Sequence, residues 1–269
     1  MVSTPIDMKK GLQKTRADQL LALQGLAPSR ERAQSFILSG SVFAGTKRIE
    51  KPSEMIPDDT ELILKGSDHP YVGRGGVKLK AVLDHFKISP AGKVCIDVGA
   101  STGGFTDCLL KEGAKKVYAI DVGYGQLDWS LRNDPRVVVM EKVNFRYFDR
   151  STIGEPIDFA TVDVSFISLK KIIPKVVQVL GHGEPVEPCH GSIVLLIKPQ
   201  FEVGRKFVGR GGIVKDEAKK KECVDEIRKF CGELGLEVTG VIPSPIFGHD
   251  GNEEFLLAAR VRSFAARSG

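Results

Sequence analysis

Short apolar runs alternate along the chain with segments of helical period and are separated by polar stretches punctuated with glycine. From residue 94 onward the order reads strand 94–97, helix near 104–112, strand 116–121, strand 137–140 and strand 157–163. A helix near 168–180, a strand at 192–197, a helix near 216–234 and strands near 236–242 and 254–261 follow. Such βαβ spacing predicts an α/β fold with a doubly wound, mostly parallel sheet whose site lies at the carboxyl ends of its strands. The last two strands predict an antiparallel hairpin at one edge.

The first seventy residues have a different rhythm. Apolar positions 17, 20, 21 and 23, then 33, 36, 37 and 38, fit two short amphipathic helices over 14–23 and 31–38. Gly25 is placed to end the first, and Ser29 to cap the second, with the amide of Arg32 three residues on. Residues 41–47 read as a strand and turn, and 59–64 as a second strand. The expected division is a small α+β domain over 10–66, a linker over 67–73 and a larger α/β domain over 74–262.

Composition narrows the class. The chain has 269 residues, 42% of them hydrophobic, enough for one or two packed cores. It has no run of 18 apolar residues, and residues 1–14 lack the apolar stretch of a secretion signal, so a cytoplasmic protein without a membrane partner is expected. The five cysteines are scattered and never spaced Cys-x-x-Cys, which reads as reduced thiols. His182, Cys189 and His190 cluster in a proline-containing loop without a fourth ligand, so no metal is expected.

Net charge is only +5, but it is polarised. Residues 9–51 carry nine Lys or Arg against three acids, whereas 52–68 carry five acids against Lys65 alone. The first stretch is a candidate nucleic-acid face.

The candidate chemistry begins at Asp97-Val98-Gly99-Ala100-Ser101-Thr102-Gly103-Gly104-Phe105, a glycine turn between an apolar run and a helix-like segment. Glycines 99, 103 and 104 let the backbone approach a ligand, and the following helix offers unpaired amides. The spacing departs from the dinucleotide fingerprint Gly-x-Gly-x-x-Gly, and Asp97 would repel a pyrophosphate, which favours a ligand bearing a positive amino or sulfonium group. The next strand ends in Asp121, 24 residues after Asp97, placed to accept two ribose hydroxyls, with Val122 beside it. S-adenosylmethionine carries both features.

Three other strand boundaries bear charges. Phe159–Val162 runs into Asp163, Ile193–Ile197 into Lys198, and Glu253-Glu254 opens the last strand. With Lys78 in Gly73-Arg74-Gly75-Gly76-Val77-Lys78 they make a Lys, Asp, Lys, Glu set. Arg205, Lys206 and Arg210 form a glycine-rich basic loop after Lys198, a candidate RNA clamp.

Arg16-Ala17-Asp18, Gly25 to Arg30, Gly40-Ser41-Val42 and Lys51-Pro52 resemble the RNA-binding module of small-subunit ribosomal protein S-four. That resemblance implies phosphate contacts from Arg16, Arg30, Arg32, Lys47, Arg48 and Lys51. The polar set resembles the FtsJ-like ribose methyltransferases. Together with Asp163-Val164-Ser165-Phe166-Ile167-Ser168, Lys198-Pro199-Gln200-Phe201-Glu202 and Gly251-Asn252-Glu253-Glu254-Phe255, the chain over roughly 14–261 resembles the TlyA family, historically labelled hemolysins. The implied fold is Rossmann-like, class I S-adenosylmethionine-dependent. The implied activity is 2′-O-methylation of ribosomal RNA, with cytidine as the target nucleoside and the large subunit as first choice over the small. The implied catalytic residues are Lys78, Asp163, Lys198 and Glu254, with Glu253 one position from the last, and the implied adenine contacts are Asn144 and Phe145.

On charge alone, Lys198 in a partly desolvated pocket beside Lys78 is expected to have a lowered pKa, a shift that Asp163 would oppose, and to act as base, with Asp163 orienting it and the cofactor end. Lys78 and Glu254 are expected to position the ribose. Competing readings are an assembly factor that binds RNA without catalysis, and a membrane-active lytic protein.

Overall fold

The computed structural model describes residues 13–38, 40–65, 69–180, 191–248 and 251–261. The chain divides into two compact units, Met1–Asp68 and His69–Gly269. The cluster of His182, Cys189 and His190 lies outside the described residues.

The first unit runs β1 (Lys14–Arg16), α1 (Ala17–Leu23), α2 (Arg30–Leu38), β2 (Val42–Ala44), β3 (Lys47–Arg48), β4 (Met55–Pro57) and β5 (Leu62–Leu64). Ala17, Leu20 and Leu21 of α1 meet Ala33 and Ile37 of α2 over Val42, Ile49, Ile56 and Leu62. Residues 14–16 are strand, where the apolar period predicts helix. Arg16 is extended and β1 pairs antiparallel with β4, with Thr15 opposite Ile56, so the helix begins only at Ala17. That partner lies forty residues downstream, beyond the reach of local periodicity. Gly25 takes φ +71° just past α1, and the Ser29 hydroxyl accepts the amide of Arg32 at 3.2 Å, as the sequence predicts. The Gln24 side chain donates to Thr60 O and accepts from Leu62 N, fastening the end of α1 to β5.

The second unit begins with α3 (Gly75–Phe86) and continues with β6 (Val94–Val98), α4 (Gly104–Lys111), β7 (Lys116–Ile120), α5 (Trp129–Arg132), β8 (Val137–Met140) and β9 (Phe159–Val162). It closes with α6 (Ile173–Leu180), β10 (Ser192–Ile197), α7 (Pro199–Glu202), α8 (Glu217–Glu233), β11 (Leu236–Pro243) and β12 (Phe255–Val261). The seven strands lie in the order β11-β12-β10-β9-β6-β7-β8. The five from β10 to β8 are parallel, and β12 and β11 add the expected antiparallel edge. Helices cover both faces: Ile173, Val176, Cys223 and Ile227 pack on one, Leu79, Leu83, Phe105 and Leu109 on the other. Burial on two sides explains why β6, β9 and β10 are apolar at nearly every position.

Two expectations are corrected. Helix α3 is absent from the sequence prediction, because it opens on glycines, which are poor helix formers. Those glycines are required by packing: a Cβ on Gly76 would collide with the Tyr71 ring, and one on Gly75 would press on the Phe105 ring of α4. The expected linker also ends earlier. Val72 N donates to the Asp107 carboxylate of α4 at 2.9 Å, so residues 71–73 are part of the second unit's packing.

Candidate active site

The parallel strands β6, β7 and β9 end together, and their carboxyl ends surround a cavity of about 380 Å³. That lies within the range of small-ligand sites. Gly99 leaves β6 at φ +88°, where a Cβ would strike the carbonyl of Asp163, so only glycine lets the two strand ends approach. Ser101, next in the turn, takes φ +49° and donates its amide to the Asp121 carboxylate at 2.8 Å. The other Asp121 oxygen accepts from Gly123 N at 2.7 Å. The carboxylate is thereby fixed at the cavity wall with lone pairs still available for hydroxyl donors.

Of the residues the sequence offers for the cofactor, Gly99, Ser101, Asp121, Val122, Asn144 and Phe145 line this cavity, together with Gln126, Asp163, Ser165 and Phe166. Asn144 caps the 3₁₀ turn at 145–147 through its carbonyl oxygen. The remaining predicted cofactor residues do not line it. Ala100, Thr102, Gly103 and Gly104 build the turn and start α4, while Phe105 is buried against α3.

Asp97 is the clearest correction. It is fully buried, and its oxygens accept from Thr106 Oγ1 at 2.7 Å and Thr161 Oγ1 at 2.8 Å. Burial pushes its pKa up to about 7, against the lowering effect of the two hydroxyls, with Asp163 adding to the rise. Through these two hydroxyls it ties the head of α4 to β9.

The charged set gathers into two ion pairs. Lys78, on the inward face of α3, contacts Glu254 at 2.5 Å, with Glu254 2% exposed. Lys198, at the end of β10, contacts Asp163 at 2.6 Å and donates to Ser165 Oγ at 2.9 Å. Glu253 instead pairs with Lys220 of α8 at 3.0 Å, so Glu254 is the carboxylate that meets Lys78. The expected lowering of the Lys198 pKa is overturned. Burial alone would lower it, but Asp163 and then Glu254 outweigh burial and raise it above the ordinary lysine value. Lys198 is an ammonium at neutral pH.

Nothing in the sequence pattern singles out Phe166. It is 91% exposed at φ +64°, a strained conformation for a bulky side chain, and its ring lies 5.1 Å from that of Phe201. Glu202 accepts from Ser168 Oγ and Leu169 N, fixing the segment that carries Phe166 to α7. A large exposed aromatic at a strained rim position is the signal that pattern reading, which tracks only buried periodicity, passes over.

The predicted RNA contacts of the first unit are partly committed elsewhere. Arg16 and Arg30 both hydrogen-bond Asp18, which is fully buried and also accepts from Gln34. Burial opposes the Asp18 charge, yet these three partners hold its carboxyl well below the usual range. Lys47 pairs with Glu54 at 2.6 Å, Arg32 lies over the Phe36 ring, Arg48 over the Phe43 ring, and Lys51 is exposed. Arg16 and Arg30 thus act first as an internal clamp, although both side chains remain partly exposed.

Residues 71–261 match the profile of the FtsJ-like methyltransferases. The chain belongs to that family. The cytidine 2′-O-methyltransferase TlyA of Mycobacterium tuberculosis, named for 16S and 23S rRNA, is 42% identical over 95% of this chain and 93% of its own length. Hemolysin A of Brachyspira hyodysenteriae is 40% identical over 90% of this chain and 98% of its own. A solved structure from Streptococcus thermophilus, described as a candidate hemolysin, superposes with a TM-score of 0.70 at 43% identity, covering 94% of this chain and 90% of that one. Among the described residues of this FtsJ-like methyltransferase no helix is long and apolar enough to cross a membrane, and no group of three His, Cys, Asp or Glu is placed to hold a metal.

Proposed function

We propose that the protein transfers a methyl group from S-adenosylmethionine to a ribose 2′-hydroxyl of ribosomal RNA, with cytidine as the target nucleoside. The observation that carries this reading is the pairing of Lys78 with Glu254 and of Lys198 with Asp163, the last of which lines the cavity. A ribose hydroxyl is a poor nucleophile that must be held in line and relieved of its proton, and such a polar set supplies both. The names of close full-length relatives agree with it.

The cavity suits the methyl donor: Asp121 offers a fixed carboxylate for ribose hydroxyls, Asn144 and Phe145 a polar edge and an aromatic wall for a base, and Gly99 the close approach of β6 to Asp163. S-adenosylmethionine supplies a methyl group already activated by positive sulfur. The chain's own part is orientation and proton handling. Lys198, held charged by Asp163, donates to the 2′-oxygen and fixes its lone pair. Asp163, held against that ammonium, receives the hydroxyl proton as the new bond forms. Lys78 and Glu254 anchor the ribose from the α3 side. Phe166 offers a face on which the target base can stack.

Nuclease digestion of RNA labelled by the purified protein tests the chemistry. Label recovered in 2′-O-methylcytidine supports the reading, whereas label on a base contradicts it. Leakage of liposomes by protein that leaves ribosomal RNA unlabelled would favour the lytic alternative instead.

A further inference from the structure

The segment after α7 carries a feature the proposed reaction does not use. Arg205, Lys206 and Arg210 are all exposed, and among the described residues none of them forms an ion pair. Cations without ion-pair partners on a glycine-rich stretch usually mean a loose loop, but this loop is built, and Lys206 lies over the Phe207 ring, 4.9 Å from its centre. Its return is closed by Gly209 N donating to Ile213 O and Gly212 N to Gly209 O. Glycines 211 and 212 adopt φ +79° and +81°, which the turn demands.

It is also pinned twice to the rest of the unit. The Asn252 side chain, 1% exposed, accepts from Val214 N and donates to Gly212 O, both at 2.9 Å. Phe207 lies under the ammonium of Lys219 from α8, 4.5 Å from the ring centre. Asn252 stands two residues before Glu254, so its Cα lies within about 7 Å of that carboxylate's Cα. At the other end the loop follows Lys198 by only seven residues, four of them in α7. Three cations without ion-pair partners are therefore held on a fixed frame that is tied to both ion pairs of the site.

We infer that Arg205, Lys206 and Arg210 bind the phosphates flanking the target ribose and so position the RNA strand over Lys198. This rests on the proposed RNA methyl transfer and adds to it the contact that sets substrate register. Arginine suits the task, because its fork of donors matches phosphate oxygens, and a rigid loop loses little freedom on binding. Phosphate contacts fix position without reading sequence, so target choice is left to the rim aromatics and to the first unit.

The test compares wild type, Arg205→Ala/Arg210→Ala and Arg205→Lys/Arg210→Lys in methyl transfer to unmodified ribosomal subunits. S-adenosylmethionine affinity is measured in parallel by calorimetry. The alanine double variant should raise KM for the particle about tenfold or more, with kcat and cofactor affinity within about twofold, and the lysine pair, which keeps the charge without the fork, should recover only part of the loss. Asn252→Ala, which removes the pin but no charge, should raise KM in the same direction. Unchanged KM in the alanine variant overturns the inference while leaving the proposed function standing. A wild type that binds cofactor but labels no ribosomal particle overturns both.

Discussion

Phe166 and Asp97 are opposite cases, one exposed on a strained backbone and one fully buried. Phe166 sits exposed at φ +64°, where backbone strain costs on the order of 1–3 kcal/mol and nothing in the core repays it. Phe166→Gly should therefore raise thermal stability while lowering kcat/KM on RNA; a loss of stability would mean the ring has a structural task. For Asp97 the sequence predicts a ligand contact, and its position in the glycine turn was legible. Its burial was not, since that depends on Thr106 and Thr161, which chain folding brings in from α4 and β9. With a folded pKa near 7 above the ordinary 3.8, the folded state binds the extra proton, so stability is full below the ordinary value and falls as pH rises through about 7. Asp97→Asn should flatten that decline between pH 4 and pH 7, as followed by urea unfolding. An unchanged pH slope would show that another group is responsible.

Among elements, the parallel strands were the most legible part of the chain, because a strand covered on both sides must be apolar throughout, and β8 and β10 fall where the runs predict them. The elements that escape the pattern are those whose formation is decided elsewhere. Helix α3 opens on Gly75 and Gly76, and β1 and β4 are three residues each and pair only with each other among the strands described. Helix α3 matters most, since it brings Lys78 to Glu254 at the head of β12. Removing one member of a buried pair strands the other charge, so Glu254→Ala should cost about 3–5 kcal/mol of stability, and Lys78→Met with Glu254→Leu much less. If the single variant unfolds at the wild-type denaturant concentration, the pair is not holding α3 in place.

At the scale of the whole molecule, the charge asymmetry between residues 9–51 and 52–68 was visible at once, but the partners of the individual cations were not. Arg16 and Arg30 converge on buried Asp18, an arrangement of residues 16 and 30 that only the turn at Gly25 creates. Of the six predicted phosphate contacts, Arg16 and Arg30 are bonded to Asp18, which leaves Arg32, Lys47, Arg48 and Lys51 for the test. Replacing these four by alanine should lessen the salt dependence of ribosomal RNA binding, by about 0.7–0.9 in log–log slope for each phosphate no longer neutralised, with cofactor affinity unchanged. An unaltered slope would place the RNA face elsewhere. Fold and family were readable from the strand-end motifs, whereas the charge state of Lys198 needed the fold that sets Asp163 against it.

The most direct measurement is transfer of labelled methyl from S-adenosylmethionine to purified unmodified ribosomal subunits by wild type and by Lys198→Ala. Label in RNA from wild type, reduced at least about 100-fold in the variant with cofactor affinity intact, is the predicted result. Equal label from both would contradict the role of the Lys198–Asp163 pair, and no label from wild type on any particle would contradict ribosomal RNA methylation itself.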